Sequence, residues 1–425
     1  MSDSAETVFT YGAPQLKYGP GASAEVGYDL KQLGVTRVLL ITDPGVAATG
    51  APDMVAAQIR SVGIDAEVYP DSHIEPTDKS LQAAVDYARG SGPWDGFVAV
   101  GGGSSIDTAK AVNLLITNEG TLIDYVNAPV GSGRSPRNPL HPFVALPTTT
   151  GTGAESTAVC VLDVLDQHVK SGISHPRLRP MLAIIDPDLT RSQPPMVTAA
   201  AGMDILCHAL ESYTARPYTS FDHKTPEQRV PYCGANPIAD MFSEKAMSLL
   251  AHSFRAAVHD PQDLAARNEM ALAATFAGMG FGNAGVHIPH ANAYPIASQV
   301  RDFYPPDYPN DHPMVPHGMA VSLTAPEAFR WTFPADPERH LRAAELLGPS
   351  ASATDDAADQ LPSVLIELMR DIGIPAGIGA VGFGAGDVES LVDGAMKQQR
   401  LLTIAPRDVT PEALADILRS SIELW

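Results

Sequence analysis

The sequence predicts an α/β domain with a parallel sheet over residues 1–192 and an all-α domain over 193–425. Three observations carry that reading. Strand and helix patterns alternate through the first 190 residues, and at this pitch alternation implies parallel strands with covering helices. From about residue 195 the strand patterns nearly vanish and long Ala/Leu/Met-rich segments take over. Between the two textures lies "DPDLTRSQPP" (186–195), whose prolines punctuate the chain.

The elements follow in order. "RVLLITD" (37–43) is a β-branched run ending in an acid, and "APDMVAAQIRSVG" (51–63) has helical spacing and stops at a glycine. "DAEVYPD" (65–71) reads as the next strand, and "DKSLQAAVDYARG" (78–90) as the next helix. "WDGFVAVGGG" (94–103) is a strand running into a glycine turn, and "HPFVALPTTTGTGAE" (141–155) repeats that format. Helices are expected over 197–215, 237–258, 262–279, 337–347, 355–373, 386–399 and 410–423, with loops at 128–140, 216–236 and 302–317.

Composition narrows the function classes. Lys plus Arg number 28 against 49 Asp plus Glu, a net charge of −21, so nucleic acid and anionic membranes are poor partners. Three scattered cysteines suit neither a disulfide framework nor a four-Cys zinc site, and they fit a reducing compartment. No apolar run approaches the roughly 18 residues of a membrane span. The first residues carry Asp3 and Glu6 and no Arg, unlike a basic leader. A cytoplasmic location is therefore expected, with a homo-oligomer, a dimer, acting on a small molecule.

"VAVGGGSSIDTAKAVNLL" (98–115) puts three glycines between a strand and a helix. Glycines let backbone approach a ligand, and the helix start offers free N–H groups to a pyrophosphate. The spacing is not GxGxxG, and a tight structural turn competes about evenly as an explanation. "PTTTGTGAEST" (147–157) gathers six hydroxyl side chains that can bond phosphate and ribose oxygens. Asp43 closes its strand where an acid can accept from a ribose diol and repel a 2′-phosphate, although Asp is also common there as a helix cap. Together these features make the first domain a Rossmann-like dinucleotide-binding domain.

"MDILCHALE" (203–211) sets Asp204 and His208 four apart in an apolar run, on one helical face. Glu211 stands three further on and could orient His208. A lone Asp/His pair is more often an ordinary polar pair. Two further histidine contexts shift the balance: "GVHIPHANAYPIA" (285–297) with His287 and His290 around Pro289, and "HPMVPHGMAVSL" (312–323) with His312 and His317. Buried imidazoles need partners, and one Asp with three His suits Zn²⁺ or Fe²⁺.

"GGGSSIDTAK", "PTTTGTGAE", "DILCHALE", "HANAYPIAS" and "VPHGMAVSL" resemble, in this order, the motifs of the iron-containing (group III) alcohol dehydrogenase family, over nearly the whole chain. "YGPGASAEVGYDL", "GFGNAGVH", "YPNDHPMVPHG" and the loop "TSFDHKTPEQRVPYCGANPI" are similar to its hydroxyacid-oxoacid transhydrogenase branch. The resemblance implies metal ligands at Asp204, His208, His290 and His317, with His287 competing with His290 for the third place. Tyr294 falls where many relatives have a histidine proposed for proton transfer, so Tyr294, His287 and His312 are the candidate catalytic groups. NAD contacts carry over to Asp43, Gly102, Gly103, Ser104, Thr148, Thr149, Thr157 and Lys170, the last resembling a lysine that reaches the cofactor's ribose.

The implied activity is hydride transfer between a hydroxyl or carbonyl substrate and NAD, assisted by one divalent metal. The branch implies 4-hydroxybutyrate oxidised to succinic semialdehyde with 2-oxoglutarate as acceptor. A carboxylate substrate needs a cation, and Arg216, Lys224, Arg229 and Arg301 are candidates. Three rivals are a plain NAD-dependent iron-type alcohol dehydrogenase, a dehydroquinate synthase-like lyase and a non-enzymatic binding protein. The lyase would need a cluster of basic side chains for a phosphorylated sugar acid, and this acidic chain shows none.

Overall fold

The computed structural model describes residues 5–167, 169–229, 231–308, 310, 312–348 and 355–425. The chain forms two compact units, Gly12–Ser192 and Gln193–Trp425, the second joined by the chain up to Tyr11. This differs at the start from a simple division at residue 192. The cause is Glu6. Its carboxylate accepts from the Lys224 N–H at 2.9 Å and from Arg229 Nη2 at 3.1 Å, while its own N–H donates to the Phe221 carbonyl at 2.8 Å. Backbone N–H groups, that of Val8 foremost, and Arg229 outweigh desolvation and hold the Glu6 pKa down at about 2.

The unit Gly12–Ser192 is built on strands β1 (Gln15–Tyr18), β2 (Arg37–Ile41), β3 (Asp65–Tyr69), β4 (Gly96–Gly101), β5 (Phe143–Pro147), β6 (Val159–Val164), β7 (Val169–Ser174) and β8 (Leu182–Ile185). Six of these form one parallel sheet in the order β1-β8-β5-β4-β2-β3, and β6 and β7 form an antiparallel ribbon. Alternate residues serve opposite faces of the sheet. Leu39, Ile41, Phe97 and Ala99 enter one apolar cluster, while Val38, Leu40, Val98 and Val100 enter another. Helices α1 (Val26–Gln32), α2 (Pro44–Ala47), α3 (Ala51–Ser61), α4 (Asp78–Ser91), α5 (Gly103–Thr117) and α6 (Leu122–Tyr125) complete the unit. The chain passes from β2 to β3 on one side and then to β4 on the other. Such a reversal opens a crevice at the carboxyl ends of the strands.

Sequence patterns alone do not separate out β1 and β8. β1 reads QLKY with its ends exposed, so it lacks an apolar signature, and β8 is four residues long and abuts the proline-rich boundary.

Among the described residues the other unit is helical. Its first helices are α7 (Pro195–Thr214), α8 (Pro237–His259), α9 (Leu264–Ala284), α10 (Ile288–Ser298) and α11 (His317–Ser322). Among the described residues, six more α-helices follow between Ala325 and Ser420. α7 is buried nearly all round, because α8, α9 and α11 all pack on it. That explains why its sequence shows no polar stripe. The described residues of the 302–316 stretch carry no regular element.

Candidate metal centre and cofactor loops

Helical pitch brings Asp204 and His208 to one face of α7. α10 begins at Ile288 with Pro289 in its first turn, where a missing N–H costs nothing, and so presents His290. α11 begins at His317. From Asp204 Oδ1 the three imidazole Nε2 atoms lie at 3.5 Å (His290), 3.7 Å (His208) and 3.9 Å (His317). These separations exceed charge-assisted hydrogen bonds of about 2.7–2.9 Å. Donors that share one ion at about 2.0–2.2 Å from each stand roughly 3.3–3.6 Å apart; the His290 separation falls in that range and the other two are slightly longer. Asp204, His290 and His317 offer donor atoms all within 4.8 Å of one another. Asp204 Oδ1 and His290 Nε2 are buried without a hydrogen-bond partner, a costly arrangement that a cation would satisfy. Asp204, His290 and His317 therefore fit a divalent ion, and His208, whose Nε2 lies 3.7 Å from Asp204 Oδ1, stands next to that group without being one of its three members.

The surroundings fix these rings unequally. His290 Nδ1 lies 2.6 Å from Glu211 Oε1, and a carboxylate can only accept, so Nδ1 carries a hydrogen and Nε2 faces Asp204. Glu211 Oε2 also accepts from the His287 N–H at 2.5 Å. This corrects the expectation that Glu211 orients His208. Its carboxylate turns instead to the start of α10, where unpaired helix-start N–H groups attract an anion. His208 is held by packing: its ring stacks on Phe281 with centroids 3.8 Å apart and planes 8° off parallel. Nothing in the spacing of the sequence pointed to Phe281.

The electrostatics follow the same division. Burial would raise the Asp204 pKa, but the histidines around it hold it well below the usual carboxylate range. Burial drives His208 down to about 3. Burial also lowers His290, yet the Glu211 and Asp204 carboxylates outweigh it and raise its pKa to about 9.

The other histidines and Tyr294 are placed differently. His287 is fully buried, and its Nε2 lies 3.1 Å from Thr214 Oγ1 rather than beside Asp204. Tyr294, one turn beyond His290 on α10, stacks near His317 with centroids 6.0 Å apart. His312 is exposed in the irregular stretch before α11.

Most of the candidate substrate cations are engaged. Arg216 pairs with Asp408 at 2.7 Å, Arg229 pairs with Glu6, and Arg301 pairs with Asp387. Lys224 Nζ lies 5.0 Å from the centroid of the Phe221 ring.

The cofactor candidates gather at the carboxyl ends of β2, β4 and β5. Gly101 pairs with Pro147, so the glycine loop and the Thr-rich loop leave the sheet side by side. A Cβ on Gly103 would stand 2.7 Å from Thr152, which explains a glycine there. Gly102 precedes α5 in an extended conformation and leaves the helix start open. Thr148 Oγ1 is buried without a partner, a donor and acceptor suited to a ligand, and Thr149 is half-buried beside Gly102. The Ser104 hydroxyl accepts from the Glu75 N–H at 3.1 Å. Asp43 Oδ1 caps α2 through the Val46 N–H at 3.0 Å, and Oδ2 accepts from Ser105 at 3.1 Å.

Two candidates are held within the protein. The Thr157 hydroxyl accepts from Lys110 at 3.0 Å. Lys170 donates to Glu75 at 2.6 Å and to Asp163 at 3.0 Å, and these carboxylates raise its pKa against the pull of burial.

Residues 13–187 match the iron-containing alcohol dehydrogenase family, and residues 198–422 match the C-terminal part of the Fe-containing alcohol dehydrogenase family. The chain belongs to the iron-containing alcohol dehydrogenase family. It is an oxidoreductase acting on CH–OH groups, and the family implies NAD and a metal. Within the family it is 40% identical over 427 residues to the mitochondrial hydroxyacid-oxoacid transhydrogenase of Mus musculus, covering 99% of this chain and 92% of that one. An alcohol dehydrogenase from Oenococcus oeni superposes with a TM-score of 0.85 at 28% identity, covering 97% of this chain and all (100%) of that one. The sulfoacetaldehyde reductase of Bifidobacterium kashiwanohense in complex with NAD+ superposes at 0.81 with 25% identity, over 97% and 99% of the two chains.

The expected cytoplasmic location does not stand, because relatives similar over nearly the whole chain are named mitochondrial. Few cysteines and an acidic start do not distinguish one reducing compartment from another.

Proposed function

We propose that this family member is a hydroxyacid-oxoacid transhydrogenase that oxidises 4-hydroxybutyrate to succinic semialdehyde and reduces 2-oxoglutarate through NAD. The observation that carries it is 40% identity, over 99% of the chain, to a relative of that name. Oxidising the hydroxyacid releases a hydride and a proton, and reducing the oxoacid consumes both, so the two halves balance. Asp204, His208, His290 and His317 hold the ion, and Glu211 keeps the His290 ring in the required orientation. When bound, a divalent ion polarises the substrate oxygen as a Lewis acid. Tyr294 is the group we assign to the substrate proton, since it stands beside His317 whereas His287 is engaged with Thr214 and His312 is exposed.

The test is to mix 4-hydroxybutyrate and 2-oxoglutarate with purified enzyme and no added NAD. Succinic semialdehyde and 2-hydroxyglutarate should appear in equal amounts. Turnover only with excess NAD, with free NADH accumulating, would instead mark a plain dehydrogenase.

We further propose that Asp43, Gly102, Gly103, Ser104, Thr148 and Thr149 form the NAD site, with Asp43 disfavouring a 2′-phosphate. Asp43→Gly should narrow the preference for NAD over NADP. It should also cost roughly a few tenths of a kcal/mol of stability, because the carboxylate caps α2 but glycine is itself tolerated at that position. Binding titrations with both cofactors and a melting curve check the two effects separately. Equal affinity of the wild type for both cofactors would remove the role given to Asp43.

A further inference from the structure

Lys110 lies on α5, two turns beyond the glycine loop, with none of its side chain exposed. Side chains on a helix lean toward its N-terminus, so the ammonium ends beside Asp107. There Nζ lies 2.7 Å from the Val159 carbonyl, 2.8 Å from the Ala154 carbonyl, 3.0 Å from Asp107 Oδ1 and 3.0 Å from Thr157 Oγ1. Three of those four acceptors belong to the Thr-rich loop and the first residue of β6. The other Asp107 oxygen accepts from the Val161 N–H at 2.8 Å. One buried ion pair thus ties the helix that starts at Gly103 to the segment 154–161.

We propose that Lys110 is a positioning residue for the cofactor. Its ammonium sets the gap between the glycine loop and the Thr-rich loop, the gap a nucleotide diphosphate would occupy. This rests on the reading that NAD binds at those loops. Stability is a weak explanation for the residue, because a buried ion pair can often be replaced by apolar groups of similar volume without loss. Geometry is a better one. Ala154 and Val159 present only carbonyl oxygens to α5, and an ammonium with three N–H groups can gather several acceptors at one point. A loop already fixed in its binding geometry has less ordering entropy to lose when the ligand arrives.

The test titrates NADH into enzyme first stripped of bound nucleotide, followed by nicotinamide fluorescence, beside steady-state rates and melting curves. The wild type is measured first; failure to bind NADH would remove the underlying reading. Lys110→Met should raise the NADH Kd by about tenfold, while turnover at saturating cofactor stays within about twofold. If Lys110→Met does not fold because Asp107 is left unpaired, the double variant Lys110→Met/Asp107→Asn removes both charges and is read in the same way. A merely structural role predicts a lower melting temperature with an unchanged Kd in the folded fraction. An unchanged Kd in a folded variant overturns the proposal.

Discussion

His290→Ala should purify without bound metal and without activity, while His287→Ala should keep its metal. The two histidines are three residues apart, and from sequence they compete for one place. The structure separates them by their partners. His290 Nε2 faces Asp204 Oδ1 at 3.5 Å, with Glu211 behind Nδ1, whereas His287 Nε2 faces Thr214 at 3.1 Å. Removing His290 takes away a donor and leaves Glu211 and Asp204 as buried carboxylates without it. The loss of metal affinity should exceed the roughly 10–100-fold that follows from removing a partner behind a ligand. Glu211→Gln should fall inside that smaller range, since Gln offers one acceptor but no charge. His287→Ala should cost about 1–3 kcal/mol of stability, because a fully buried ring is lost and the Thr214 hydroxyl keeps only its bond to the Leu210 carbonyl. Metal content by elemental analysis, metal titration of stripped protein and a melting curve read the three variants. Full metal occupancy in His290→Ala, with loss in His287→Ala, would reverse the assignment.

What could be read from the sequence is local, and what could not is long-range. The Asp204/His208 pair is visible because helical periodicity places residues four apart on one face. Pro289 marks the start of α10 by its own chemistry, and the glycine run marks the turn after β4. Glu211 was visible as a buried acid, but its partner lies 79 residues further on, and periodicity says nothing about that distance. The same holds for Glu6, which lies 223 residues from Arg229 and draws the start of the chain to the other unit. Lys170 reads as a surface lysine or a ribose ligand. Its two carboxylates come from Asp163 across the β6–β7 ribbon and from Glu75, which lies 95 residues away. A charged side chain declares its type in sequence; the carboxylate or carbonyl that holds it is set by the tertiary fold.

Gly318 is a further case, and it carries a large expected effect. It follows His317 directly in α11, and by propensity alone a glycine inside a helix is a weakness. Gly→Ala in an unobstructed helix interior stabilises by roughly 0.5–1 kcal/mol. Here the neighbours reverse the sign. A Cβ on Gly318 would overlap the Ala200 carbonyl oxygen and stand 2.7 Å from Asp204 Cβ. Both atoms belong to α7, a helix packed on several sides that cannot yield without disturbing α8 and α9. α11 must therefore back away, and His317 moves with it. His317 Nε2 is already the farthest of the three imidazoles from Asp204 Oδ1, at 3.9 Å, so a small retreat takes it out of reach of a shared ion. Gly318→Ala should cost about 1–3 kcal/mol through overpacking and should weaken metal binding by at least about tenfold. Gly318→Val should abolish metal binding. A melting curve with and without added metal separates the two effects: the overpacking cost appears in both, and the lost affinity appears as a smaller rise on adding metal. A Gly318→Ala protein that melts higher than the wild type and binds metal equally well would show that α11 has room against α7, and that the glycine does not govern how closely His317 approaches Asp204.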